Sequence, residues 1–243
     1  MRKSVPKFPQ LGSRERVELK LSYLLKIIVL GTIILSIRKF NLFLISSAVV
    51  ILFFSALPAL FERTFRITLP VEVDLAVTAF VFLHFVLGEA RDYYTRFVWF
   101  DLALHISSGI IIGLVGFIII YFFLYTNRVT ANPLMVAVFS VSFSLAAGAL
   151  WEIFEFFMDT VLGFNMQKSG LVDTMTDLMV DLFGACIVGV SAYRYLKKEE
   201  AGILKTLINR FIQYNVWLQV KKQLRKQKKR HFKRKMPAGK EQS

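Results

Sequence analysis

A single cysteine, Cys186, lies inside an apolar run, so no disulfide can form within the chain and cysteine usage says nothing of redox compartment. There is no H-E-x-x-H, no P-loop, no recognisable phosphatase signature and no defensible Ser–His pair. No internal repeat is visible. No A-x-A site promptly follows the first apolar run and a second run comes at once, so the first is read as an uncleaved anchor, not a signal peptide. Acidic residues are scarce, with 17 against 31 Lys and Arg and a net charge of +14. In a soluble chain that surplus would suggest nucleic acid. From Lys197 to Ser243, however, fifteen basic residues meet three glutamates, which leaves +12 (15 − 3) in one tail. Such a tail beside a membrane span marks the cytoplasmic side and attracts anionic lipid, which argues against nucleic acid as the partner.

What the chain has in plenty is apolar sequence: 55% of residues are hydrophobic, and the mean hydropathy is +0.53. The apolar residues fall in runs near the ~20 needed to cross a bilayer as a helix. The expected fold is therefore an all-α, polytopic membrane protein with about six transmembrane helices. Residues 1–20 form a basic leader, the spans lie near 21–37, 42–60, 71–88, 99–125, 134–158 and 173–196, and residues 197–243 form a basic tail. Within the tail, ILKTLINRFIQYNVWLQV suits an interfacial helix on anionic lipid. Arg38, Lys39 and Asn41, Pro70, Pro133 and the loop GFNMQKSGLVD supply the boundaries. Lys and Arg concentrate in the leader, at Arg63, Arg66, Arg128 and Arg194, and in the tail, while the alternate loops hold Arg38, Lys39, Arg91, Arg96 and Lys168. The positive-inside rule then places both termini in the cytoplasm.

Against this background WEIFEFFMD stands out, with Glu152, Glu155 and Asp159 at i, i+3 and i+7 on one helical face. Asp173, Asp177 and Asp181 recur every four residues, and Asp101 and His105 are four apart. With His84 and Glu89, all of these fall in the outer halves of their spans, His84 and His105 within about 10 Å of the outer boundary at 1.5 Å per residue. A carboxylate at the bilayer centre costs about 2.5–3.5 kcal/mol on the insertion scale, so the acidic faces are expected to point into the bundle or an aqueous cleft. Asp173 also suits a helix N-cap, Asp101 a first-turn acid, Asp159 and Glu89 solvated charges, and either histidine a hydrogen-bonded core residue. The Gly109/Gly113/Gly116 series and Ala185/Gly189 read as helix-packing positions.

FDLALHISSGIIIGLVGF, GALWEIFEFFMD and DTMTDLMVDLFGACIVG, taken in order, resemble the YjdF-like family of bacterial inner-membrane proteins and, more distantly, VanZ-like proteins. Leu102 following Asp101, and Asp181 in place of Asn, depart from the VanZ-like pattern. The resemblance implies an inner-membrane architecture and a site at Asp101, His105, Trp151, Glu152, Glu155, Asp173, Asp177, Asp181 and Gly184, but no reaction.

Three function classes follow. The first is a metal-dependent hydrolase or transferase on a lipid or lipid-linked substrate. A divalent ion would be held by Asp101, His105, Glu152, Asp177 and Asp181, with Glu152, Glu155 and Asp177 as catalytic candidates. Arg91, Arg96, Trp151 and Asp173 are the binding candidates, and His84 stands nearby. The second is a binding or scaffold protein using the same cluster without turnover. The third, a proton-coupled carrier, is weakened because the inner halves of spans four to six offer only Ser140, Ser142 and Ser144.

Overall fold

A computed structural model describes residues 12–40, 42–65, 67–198, 202 and 204–215. Among them the regular structure is helical: α1 (Ser13–Arg38), α2 (Leu42–Phe65), α3 (Val71–Val81, continued by a π-helical stretch Phe82–Glu89), α4 (Tyr93–Arg96), α5 (Val98–Tyr125), α6 (Pro133–Leu162), α7 (Leu171–Lys198) and α8 (204–215). Five helices among the described residues are long and apolar enough to cross a membrane: α1, α3 with its π stretch, α5, α6 and α7. The 24-residue α2, over which the sequence predicts a further span, is not among these five, although it carries no charge from Leu42 to Phe61. The protein is thus a polytopic helical membrane protein.

The sequence limits of the helices have local causes. α1 begins at Ser13 rather than near residue 21, because polar side chains continue it. The Glu15 carboxylate accepts from the Gly12 N–H at 2.6 Å, and Arg14 pairs with Glu18 one turn on at 2.8 Å. At the start of α6, the Asn132 side chain accepts from Met135 N at 2.8 Å, followed by Pro133 in the first turn. The same helix ends on Gly163 at φ 69°, the left-handed conformation that suits glycine. The π-helical turn was not legible beforehand; there Ala90 N donates to Phe85 O, five residues back, at 2.9 Å.

α5, α6 and α7 pack as the central unit. A Cβ on Gly109 would strike the Asp181 carbonyl, and one on Gly184 would strike that of Ile106, so α5 and α7 cross backbone to backbone. Gly113 faces Val188 and Gly189 faces Val141, as expected of packing positions. α1 lies against α3, presenting Ser22, Val29, Ile33 and Ser36 inward while Tyr23, Ile27, Leu30 and Ile34 stay exposed on the lipid side.

The tail departs from expectation. Instead of an amphipathic helix free to lie on lipid, α8 turns back into the protein. Ile208 joins Phe117, Val136, Val188 and Ala192. Phe211 joins Ile67, Leu69, Val73, Ile118 and Phe122. The apolar face that suggested a lipid contact found a protein groove, which buries the same area without needing a membrane. Asn215 fastens it, accepting from Thr68 N and donating to Thr68 O, both at 3.0 Å. Residues 216–220 of the expected interfacial helix, the basic run after them and most of the leader lie outside the described residues. The end of the bundle holding Ser13 and α8 is called the tail end below, and the opposite one the acidic end.

Candidate functional site

Along α6 and α7 the usual radial order of a soluble protein is reversed. Glu152 is 4% exposed whereas its neighbour Ile153 is 63% exposed. Asp177 and Asp181 are buried while Met179 and Phe183 face outward. This is the arrangement a bilayer imposes on helices that carry acids: apolar residues meet lipid, and the carboxylates meet one another.

Three helices build the centre of the acidic end. α5 supplies His105, α6 supplies Glu152, and α7 supplies Asp177, all buried. One ligand atom from each lies within 4.8 Å of the others. His105 Nε2 faces Asp177 Oδ2 at 3.7 Å and Asp101 Oδ1 at 3.8 Å. Its Nδ1 faces Asp181 Oδ2 at 3.4 Å, outside hydrogen-bond geometry. Asp181 is itself held by the Ser108 hydroxyl, which donates to Oδ1 at 2.8 Å. Gly148 makes room for this carboxylate, since a Cβ there would collide with Asp181 Oδ2. Neither oxygen of Glu152 makes a hydrogen bond within strict geometry; the neighbouring Thr174 hydroxyl accepts from Gln167 Nε2 at 2.7 Å and keeps its own proton to turn toward Glu152. Buried polar groups are almost always partnered, and a buried Glu152 carboxylate served by at most one hydroxyl marks this centre as a place for a further partner. Asp101, Asp173 and Asp177 form a second group of the same span, but Asp101 is already neutralised by Lys168 at 2.7 Å.

The acids of WEIFEFFMD have separate duties. Glu152 belongs to the centre and Glu155 to the wall of an adjoining cavity. Asp159 is no free solvated charge. It accepts from Met166 N at 2.7 Å and Gln167 N at 2.8 Å, stapling the loop that carries Lys168. Asp173 is likewise not an N-cap, for α7 already begins at Leu171 and Asp173 lies within its first turn.

The cavity measures about 900 Å³. Asp101, His105, Glu155, Lys168 and Asp181 line it at the acidic end. His84 borders it inside an aromatic corner: its Nδ1 meets the Tyr94 hydroxyl, and its ring lies 5.5 Å from that of Trp151. Burial, reinforced by nearby acids of which Glu89 counts most, raises the Tyr94 hydroxyl well above its ordinary pKa, so it remains a donor. Lys168 also sits over the Tyr94 ring at 4.9 Å.

The structure therefore gathers Asp101, His105, Glu152, Asp173, Asp177 and Asp181, with Glu155, Trp151 and His84 on the adjoining cavity. Arg91 and Arg96 are exposed on the connecting segment and do not line it. Lys168, Tyr94 and Ser108 went unnoticed in the sequence. Lys168 had a faint signal, as a cation in the loop between two acidic helices; Ser108 and Tyr94 had none, because their partners are 73 and 10 residues away.

Comparison with known proteins adds a family. The model of a family described as predicted membrane protein (DUF2238) matches residues 20–198. The chain is also 32% identical over 146 residues to an uncharacterised protein of Thermotoga maritima, covering 56% of this chain and 70% of that one. No solved structure matches.

Proposed function

The chain belongs to the predicted membrane protein family DUF2238, whose description names no reaction, and from its own geometry we propose a divalent-metal-dependent hydrolase or transferase acting on a lipid or lipid-linked substrate. One observation carries this reading: His105, Glu152 and Asp177 converge, all buried, with one ligand atom of each within 4.8 Å of the others. A cation is the economical partner for such a set. One imidazole with two carboxylates suits Zn²⁺ or Mn²⁺, and oxygen-rich variants of it suit Mg²⁺.

His105, Glu152 and Asp177 are the proposed ligands. Asp181, held by Ser108, is the positioning residue that faces the other nitrogen of His105. A bound divalent ion supplies Lewis-acid polarisation of a phosphoryl or carbonyl oxygen. Glu155, on the cavity wall, is placed to accept a proton from an attacking water or hydroxyl, and Lys168 to steady an anionic group. In this reading the acidic end faces away from the cytoplasm, both termini lie in the cytoplasm, and the membrane is the inner one, as the Lys and Arg distribution supports. The finer resemblance to YjdF-like and VanZ-like proteins supports the choice of residues and no particular chemistry.

The test is elemental mass spectrometry on detergent-purified protein beside Glu152→Ala and Asp177→Ala. Near-stoichiometric metal, lost in both variants, is expected, followed by metal-dependent turnover of a lipid phosphate that Glu155→Gln abolishes. A wild-type protein that stays metal-free after loading with Mg²⁺, Mn²⁺ and Zn²⁺ would sink the proposal.

A further inference from the structure

The same cavity has a long apolar part that the metal reading does not use. From the acidic end it continues between α2, α3, α5 and α6 past Val77, Ile112, Val115 and Ile119 to Leu69, Val73 and Leu60. Its α5 wall alone runs from Asp101 to Ile119, about 27 Å at 1.5 Å per residue, comparable to the ~30 Å hydrocarbon core of a bilayer. At the far end Leu69 and Val73 pack with Phe211 of α8, so the tail helix backs the floor. Ionisable side chains line the acidic end and apolar ones most of the remainder. A soluble substrate has no use for such a slot.

We infer that the slot binds the hydrocarbon chain of a phosphate-headed amphiphile, with the head beside Lys168 and Glu155 and the chain running along Val77 and Ile112 toward Leu69. This rests on the reading of the acidic end as the reacting end. At about 900 Å³ the cavity has room for a long hydrocarbon chain together with a compact head. The substrate class is thus a lipid phosphate, with one chain taken up parallel to the membrane normal. Chain length is then read by the depth of the floor.

The test uses the full-length protein in lipid nanodiscs and hexadecyl phosphate with a terminal diazirine. Photolabelling is expected at the floor, on peptides containing Leu69, Val73 or Ile119. Excess unlabelled hexadecyl phosphate should suppress it at least tenfold, whereas butyl phosphate or inorganic phosphate should not. Val77→Trp and Ile112→Trp should each reduce floor labelling at least fivefold, and Ile153→Trp, on the lipid face, should leave it unchanged. Labelling confined to outward residues such as Ile153 and Phe156, or equal competition by inorganic phosphate, overturns the inference, and the wild-type result alone suffices if the tryptophan variants do not fold. Metal content, measured on the same samples, separates the two proposals. Floor labelling in a protein that never takes up metal would sustain the slot and discard the metal centre.

Discussion

The two ends of the molecule solve the same problem in opposite ways. At the tail end each acid meets a cation or donor through at least one oxygen. Glu15 accepts from Tyr214 at 3.0 Å and faces Arg210 at 3.4 Å, Arg210 also pairs with Glu72, and Glu62 accepts from Leu69 N at 2.6 Å. Lys26 reaches both oxygens of Asp74 at 2.8 Å, and the Ser22 hydroxyl donates to the same carboxylate at 2.7 Å. Burial and then the bond to Glu15 push Tyr214 up to about 12, which keeps its proton in place. At the acidic end Glu152, Asp177 and Asp181 crowd one imidazole, and the nearest lysine is spent on Asp101. Paired charges hold a structure together; crowded like charges are held together by the structure. The second arrangement needs something to offset it, the part that the proposed function gives to a divalent cation.

The largest expected effect breaks the crossing that builds the acidic end. Gly184→Ala puts a methyl against the Ile106 carbonyl and should cost about 3 kcal/mol, the upper part of the range for overpacking, with loss of bound metal. Thermal denaturation in detergent together with metal content reads both, and an unshifted midpoint would show that α5 and α7 do not cross this closely. Next, the contrast itself is tested by a pair of variants. Arg210→Ala leaves Glu15 and Glu72 facing each other and should cost about 3 kcal/mol, the low end for breaking a buried pair because the guanidinium keeps some exposure. Glu152→Gln removes an uncompensated charge and should leave the metal-free protein as stable or more so, while abolishing the stabilisation that saturating Mn²⁺ gives, about 2.7 kcal/mol at a hundredfold excess over Kd. Equal destabilisation by both variants would erase the distinction between the ends.

A smaller effect is expected at the tail clamp. Asn215→Ala removes two hydrogen bonds to Thr68 and should cost about 1–2 kcal/mol, seen as faster proteolysis of the segment after residue 198 with metal content unchanged. The smallest comes from Lys168→Met. Its pair with Asp101 is partly exposed and worth at most about 1 kcal/mol, so stability should barely move while affinity for hexadecyl phosphate falls. A Lys168→Met protein that binds this probe as the wild type does would remove Lys168 from the head-group site.

The sequence by itself determined the class of the molecule and which of its acids share a buried face. Runs of some twenty apolar residues leave a chain no other low-energy form in lipid than a helix, and Pro133, Gly163 and the polar loops mark where helices stop. Acids at spacings of three and four must share a helical face, and a bilayer turns that face inward, so Glu152, Asp177 and Asp181 were legible as buried neighbours. The tertiary structure alone decided how they divide the work. That Asp181 is held by Ser108 depends on a partner 73 residues away, and that Asp159 is held by a loop backbone depends on how the chain turns seven residues on. The folding of α8 into the bundle was hidden for the same reason. An amphipathic helix has one apolar face whether it meets lipid or protein, and only the groove formed by Phe117, Phe122 and Val188 settles which it meets. Periodicity fixes which residues share a face. The packing of distant segments fixes what that face touches.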